Sequence, residues 1–334
     1  MGWLLFPTVV GLNIAGDLLE IVRADKVFSN LMIERWRSAV VESDAVLEEV
    51  LGEIDMDVED TVVLNAPVDS IVIYTFDLAP GMKRKEVKNY GKMMASRNLG
   101  LNQDDILIDL LGSAGNKGIF VVARKGTLMK YVSDVMARGF PEPDIVVPDF
   151  LKFLYLTTTP SVGELLLIVV SFLQNYMAVL VFSGGVVVSV RVTSLELESA
   201  FGVIEDQFGL SRAEVIMRSS LKDMKDLCDF LKSSFENLAM EIDRETRVAL
   251  RNGLKQLDIS DLDVSLVYTE PASLEEPLFE AMKNLETFNE LERKMYRPGI
   301  NVPDGVLSKV RGALGLLVRG GYELGKVKSL RIKT

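Results

Sequence analysis

Between Leu165 and Val190 the chain carries no charged side chain, a stretch long enough to cross a bilayer as a helix. Its internal pattern argues otherwise. Gln174-Asn175 and Ser183-Gly184-Gly185 cut it into valine-rich apolar pieces at 165–171, 176–182 and 186–192. Each piece has the length of a buried strand, and the Gly-Gly pair is hairpin chemistry. The next residues, TSLELESAFGVIEDQFGLS, predict a helix that runs to Gly209, with Thr193 and Glu196 at capping-box spacing. The first forty residues follow the same grammar: apolar runs at 8–14, 18–24 and 31–36 read as three strands with turns between them. A helix then starts at Ser43 or Asp44. The strand–turn–strand–turn–strand–helix unit therefore occurs twice, about 160 residues apart, too far for a solenoid repeat and consistent with two related domains.

Between the two copies, strands at 70–78, 105–111 and 118–124 alternate with helices at 83–100 and 126–140, the pattern of a small inserted module. Long amphipathic helices fill 219–254. The basic run at 81–88 (GMKRKEVK) reads as a solvated first helical turn. The acidic runs around 43–60 and 272–290 read as solvated helix faces, and TTTPS at 157–161 as a hinge.

Composition narrows the chemistry. The chain has 334 residues, 48% of them apolar, enough for two domains and a sizeable core. Its net charge of −11 argues against nucleic acid as a partner, since phosphate binding needs a basic face. There is no histidine, which removes Ser/His and Cys/His catalysis and imidazole metal sites. No catalytic residues and no metal ligands are assigned. The single cysteine, Cys228, cannot form an internal disulfide and reads as a small packed hydrophobe, which fits a reducing compartment. The opening MGWLLFPTVV lacks the basic region of a secretory signal and the hydroxyl residue of a myristoylation motif. The last 27 residues are basic and partly amphipathic, but Gly312, Gly315, Gly320, Gly321 and Gly325 weaken a surface helix there and favour packing against the body.

Two meanders, each followed by a helix and each opening on a strand–loop–strand, resemble the superfamily of actin and the sugar kinases. The fold this implies is α/β: a duplicated RNase H-like, actin-type pair of domains with an inserted 1C-type subdomain. Within that superfamily the chain resembles the PilM family of type IV pilus assembly proteins, with the GspL cytoplasmic domain and FtsA further off. The resemblance is carried by VVGLNIAGDLLEIV, by KNYGKMMASRNLGLNQDDILIDLL with KGIFVVARKGTLMKYVSDVMARGFPEPDIVVPD, by FGVIEDQFGLSRAEVI with AMEIDRE, and by GALGLLVRG. It implies subdomain 1A at 1–65, about 145–160 and the last helix. Subdomain 1C then takes 66–144, 2A takes 161–205 and 260–300, and helical 2B takes 206–259.

The departures from the family are concentrated in its nucleotide loops. Where the superfamily has Asp-x-Gly followed by small hydroxyl residues, the first loop has Asn13, Ala15, Gly16 and Asp17. The second has Ser171 for the aspartate, Leu173 for the glycine, and Gln174 and Asn175 for the small residues. Thr269 and Glu270 replace the glycines of the adenosine turn. All three parts of the site are altered together, so no cofactor is expected. ATP with Mg²⁺ belongs only to an alternative reading, an ATP-binding protein that polymerises. A second alternative is an FtsA-like membrane tether.

The leading expectation is a non-enzymatic, cytoplasmic scaffold of a pilus or type II secretion-like machine. By resemblance, a cleft between 1A and 1C receives the N-terminal tail of a PilN-like bitopic membrane protein, which holds the scaffold at the inner membrane beside other components of the machine. Self-association stays open. Alternation offers Ile106, Ile108, Leu110, Phe120 and Val122 as residues of that groove, although the same alternation fits the module's own core.

Overall fold

The computed structural model describes residues 6–157, 163–197, 199–253, 262, 264–289, 304–307 and 309–333. Three strands, β1 (Thr8–Ala15), β2 (Leu18–Val27) and β3 (Asn30–Val40), form an antiparallel meander. Helix α1 (Asp44–Ile54) follows and buries Leu47, Val50 and Ile54, leaving its glutamates in solvent. Ser43 precedes it in extended conformation, though its side chain makes no capping bond. Strand β4 (Thr61–Ala66) then returns parallel to β1.

The inserted module comprises β5 (Ile71–Asp77), α2 (Arg84–Leu99), β6 (Ile106–Ala114), β7 (Lys117–Arg124) and α3 (Lys125–Ala137). The chain re-enters the first half through β8 (Ile145–Pro148) and the short α4 (Leu154–Thr157). Residues 158–161 of the hinge expected at 157–161 lie outside the described residues.

The uncharged run is three strands, β9 (Glu164–Ser171) and β10 (Tyr176–Ser183), nearly all buried, and β11 (Val186–Ser194), buried at Val187, Val188 and Ser189. Among the described residues no helix is long and apolar enough to span a membrane. The helix expected from Thr193 starts later. Thr193 pairs with Met177 in the β10–β11 ladder, so its backbone is already committed when α5 (Ser199–Phe208) begins. The capping box belongs instead to Ser211 and Glu214, at the start of α6 (Arg212–Met217). The helices α7 (Lys225–Ser234) and α8 (Glu236–Arg251) lead to β12 (Val264–Glu270), which lies parallel to β9. Helices α9 (Glu275–Met282), α10 (Glu286–Asn289) and α11 (Asp304–Leu307) precede α12 (Arg311–Glu323) and β13 (Ser329–Ile332).

Two sheets result, ordered β13-β3-β2-β1-β4-β8 and β12-β9-β10-β11-β6-β7-β5. The order β3-β2-β1-β4 in the first is matched by β11-β10-β9-β12 in the second, with the same parallel and antiparallel senses. This is the duplicated RNase H-like topology, and its actin-type arrangement places the β1–β2 and β9–β10 turns opposite each other. Helix α12 lies between the sheets with Leu314, Leu316, Leu317 and Val318 fully buried. A Cβ on Gly315 would sit 1.9 Å from the Lys152 carbonyl oxygen, so the glycines of the tail allow close approach to the core.

Two features were not legible in the hydrophobic pattern. Strand β13 adds a parallel edge to β3. The module's sheet also continues into the second half through a bridge between Gly112 on β6 and Val187 on β11. A Cβ at residue 112 would lie 2.0 Å from the Val187 carbonyl oxygen, so only glycine permits this junction.

Candidate functional site

The ends of β1, β4, β9 and β12 converge between the two halves, and the expected nucleotide-loop residues meet there. The ammonium of Lys152, fully buried, donates to Asp149 Oδ1 at 2.8 Å, Glu270 Oε1 at 2.6 Å and Asn13 Oδ1 at 3.0 Å. All three of its protons are thereby used. The Asn13 amide donates in turn to Glu270 Oε1 (3.0 Å) and Glu20 Oε2 (3.1 Å). Ser171 Oγ donates to Glu270 Oε2 at 3.0 Å, and Glu20 accepts the backbone N–H of Ala313. Asp149 also accepts from Asn65 (2.6 Å) and from the Tyr176 hydroxyl (2.6 Å).

The electrostatics follow from burial and proximity. Burial raises the Glu20 carboxyl from 4.5 to about 7, with the Glu270 charge adding to the effect. For Lys152, burial alone would lower the ammonium pKa. The carboxylates of Asp149 and Glu270 outweigh it and hold the pKa above the ordinary 10.5. A buried cation thus sits among carboxylates from both halves, the kind of pairing that buried charge requires.

The loop tips also touch. A Cβ on Gly16, which has φ +60°, would lie 3.1 Å from the Leu173 carbonyl oxygen. Gln174 donates its side-chain amide to the Ile14 carbonyl at 3.2 Å, and Ser171 Oγ accepts the Gln174 backbone N–H. Asp17 holds Arg212 in a two-pronged ion pair at 2.9 and 3.2 Å, and Arg212 lies over the Phe201 ring. Asn175 adopts φ +54° and accepts the Leu197 N–H, shaping the second turn. Ala15 packs in the second half's core. Thr269 caps its own turn through the Pro271 carbonyl. Two cavities flank this junction. One of about 450 Å³ lies toward α3, lined by Asp69, Tyr131, Leu173 and Gln174. The other, of about 210 Å³, lies toward Thr269, Pro271 and Arg311.

A separate groove of about 380 Å³ runs between the module and the first half. One wall is the segment 142–148, which includes β8, the last strand of its sheet. The other carries Leu107, Val121 and Ala123 from the module's sheet and Met129 from α3. Lys88 and Asp109 pair at its rim, 3.3 Å apart. This corrects the alternation-based choice. Ile106, Phe120 and Val122 are buried in the module's core under α2, and Ile108 and Leu110 pack partly against that core, although Ile108 also reaches the groove. The groove face is mainly the opposite parity, because α2 covers one side of the sheet and a one-residue offset changes faces.

No protein-family model matches the chain, and no curated protein matches it. Among solved structures, the PilM-PilN type IV pilus biogenesis complex superposes with a TM-score of 0.65 over 94% of this chain and 98% of that one, at 16% identity. The fold is that of PilM. The ethanolamine utilization protein EutJ from Carboxydothermus hydrogenoformans gives 0.48 at 11% identity, covering 95% of this chain and 92% of that one. The cytoplasmic domain of EpsL, an inner-membrane component of the Vibrio cholerae type II secretion system, gives 0.39 at 12% identity, covering 62% and 79%.

Within this PilM-like fold, sequence reasoning passed over Glu20, Asn65, Asp149, Lys152 and Tyr176. A signal for the charged ones was present. Glu20 interrupts LLEIV, and Asp149 and Lys152 interrupt IVVPDFLKFLYL, single charges inside apolar runs that must find partners when buried.

Proposed function

We propose that this chain is a non-catalytic, actin-like scaffold of a type IV pilus or type II secretion-like machine, and that it holds the N-terminal tail of a PilN-like membrane protein in the groove between the module and the first half. What supports this reading is the contrast between a fastened cleft and an open groove. In the cleft, the Lys152 ammonium lies between carboxylates of both halves, and the tips of the two loops that resemble the superfamily's phosphate loops touch each other. The residues present do not fit Mg-ATP. Beside it, Leu107 and Met129 are exposed apolar groups on a groove walled by an edge strand. An extended peptide could pair with that edge and set its apolar side chains against Leu107 and Met129.

Through such a partner the protein sits at the cytoplasmic face of the inner membrane without spanning it. The test is titration of a synthetic peptide copying the first residues of the PilN-like protein from the same genome. Binding should be on the order of micromolar. Leu107→Asp should weaken it by at least about tenfold while the far-UV circular dichroism spectrum stays unchanged. Undiminished binding to Leu107→Asp would move the partner site elsewhere.

A further inference from the structure

At the end of the first sheet remote from the cleft, the turn between β2 and β3 presents Phe28, 87% exposed, at φ +53°. A bulky aromatic side chain in the left-handed region is a strained choice that folding alone does not require. Phe6 stands against it edge-on, ring centroids 6.4 Å apart, and is itself exposed. The sequence leading into Phe6 is Met1-Gly2-Trp3-Leu4-Leu5, with no charged side chain.

The basic C-terminal segment is stitched to this turn. The Lys328 N–H donates to the Ser29 carbonyl at 2.7 Å, and Lys26 Nζ, itself buried, donates to the Lys326 carbonyl. Residues 326–333, KVKSLRIK, hold four cations and no acid in a chain of net charge −11. Lys333 pairs with Asp25 and Glu34. Lys326, Lys328 and Arg331 are exposed and have no ion-pair partner among the described residues. Glu323, the nearby acid on α12, pairs with Arg319. Leu324 and Ile332 add exposed apolar surface on the same segment.

We propose that this end of the first sheet docks on an anionic lipid surface, Phe28 and Phe6 entering the interface and Lys326, Lys328 and Arg331 facing the headgroups. Aromatic rings beside unpaired cations are the chemistry of a bilayer interface. The shape favours lipid over a protein partner. Phe28 projects from a convex turn, whereas protein hot spots sit in complementary pockets; a bilayer accepts a projecting ring without a matching wall. The contact is independent of the peptide groove, since β13 and β8 are opposite edges of the first sheet. It is also not an amphipathic tether helix, because α12 is buried between the sheets.

Flotation of the full chain with vesicles tests this, comparing phosphatidylcholine alone with phosphatidylcholine containing about 30% phosphatidylglycerol. Binding is expected to the anionic vesicles and should fall in roughly 0.5 M salt. Each cation near an anionic leaflet is worth about fivefold in partitioning, so the triple variant Lys326→Glu, Lys328→Glu, Arg331→Glu should lose at least about a hundredfold. Phe28→Asn should lose about tenfold. Asparagine tolerates the left-handed region, so this variant should melt no lower than the wild type, which separates lost docking from lost folding. Absence of wild-type flotation, or flotation undiminished in both variants, overturns the proposal. So does a solution dimer that Phe28→Asn dissociates without any vesicle binding, which would make the patch an interface between copies.

Discussion

Replacing Lys152 by methionine keeps the length of the side chain and removes only its charge and three hydrogen bonds. The carboxylates of Asp149 and Glu270 then stay buried with no cation between them. Breaking a buried pair from one side typically costs about 3–5 kcal/mol. Here Asp149 keeps its bonds from Asn65 and Tyr176, and Glu270 keeps those from Asn13 and Ser171, so the expected loss lies near the lower figure, about 3 kcal/mol. Urea unfolding followed by circular dichroism measures it, with the slope compared between variants to check that only stability has changed. Adding Glu270→Gln removes one of the stranded charges and should return at least about 1 kcal/mol, a non-additivity expected only of groups in contact. The folded ammonium pKa lies above the ordinary 10.5, so the stabilisation is complete below about that pH. It fades as pH rises through the folded value, and wild type and Lys152→Met should converge there. A Lys152→Met variant within about 0.5 kcal/mol of wild type at neutral pH would show that the network contributes little and that the cleft is closed by other contacts.

Glu20 responds to pH in the opposite sense to a paired carboxylate. Its folded pKa of about 7 lies above 4.5, so the folded state holds the proton longer and stability falls as pH rises between these values, by about 3 kcal/mol in all. Glu20→Gln should flatten that part of the stability profile in pH-dependent urea melts. Mg-ATP at millimolar concentration should leave the melting temperature unchanged, in the wild type and in Asn13→Asp alike; a rise of several degrees would restore the ATP-binding alternative. Gly112→Val should separate the module's sheet from β11, seen as faster amide exchange at Val187 and its neighbours while the first sheet keeps its protection.

The fold was legible because its strands are long, apolar and bounded by turn residues, and because the unit occurs twice. The loops were legible as departures from a pattern: Asn13, Ser171 and Glu270 stand together in space as the resemblance implied. What holds them together was not legible. Lys152 touches residues far from it along the chain on both sides, and no local period encodes such a meeting. Strand β13 carries little hydrophobic signal, because its four residues include Arg331 and are flanked by Lys328 and Lys333. Ile106, Phe120 and Val122 alternate with Leu107, Val121 and Ala123 along the same strands, and alternation gives two faces without saying which one a helix covers. Glu275 lies in a run that reads as solvated, yet it pairs with the partly buried Arg311 at the distant start of α12.

The bridge between Gly112 and Val187 has a mechanical meaning. In a clamshell, load applied to one shell reaches the other only through the hinge. Here the module's strands, which form one wall of the groove, continue into the sheet of the second half, so tension on a tail held as proposed would be delivered across a hydrogen-bonded sheet as well as along the covalent connections. A protein built this way would pass such a pull to both shells together.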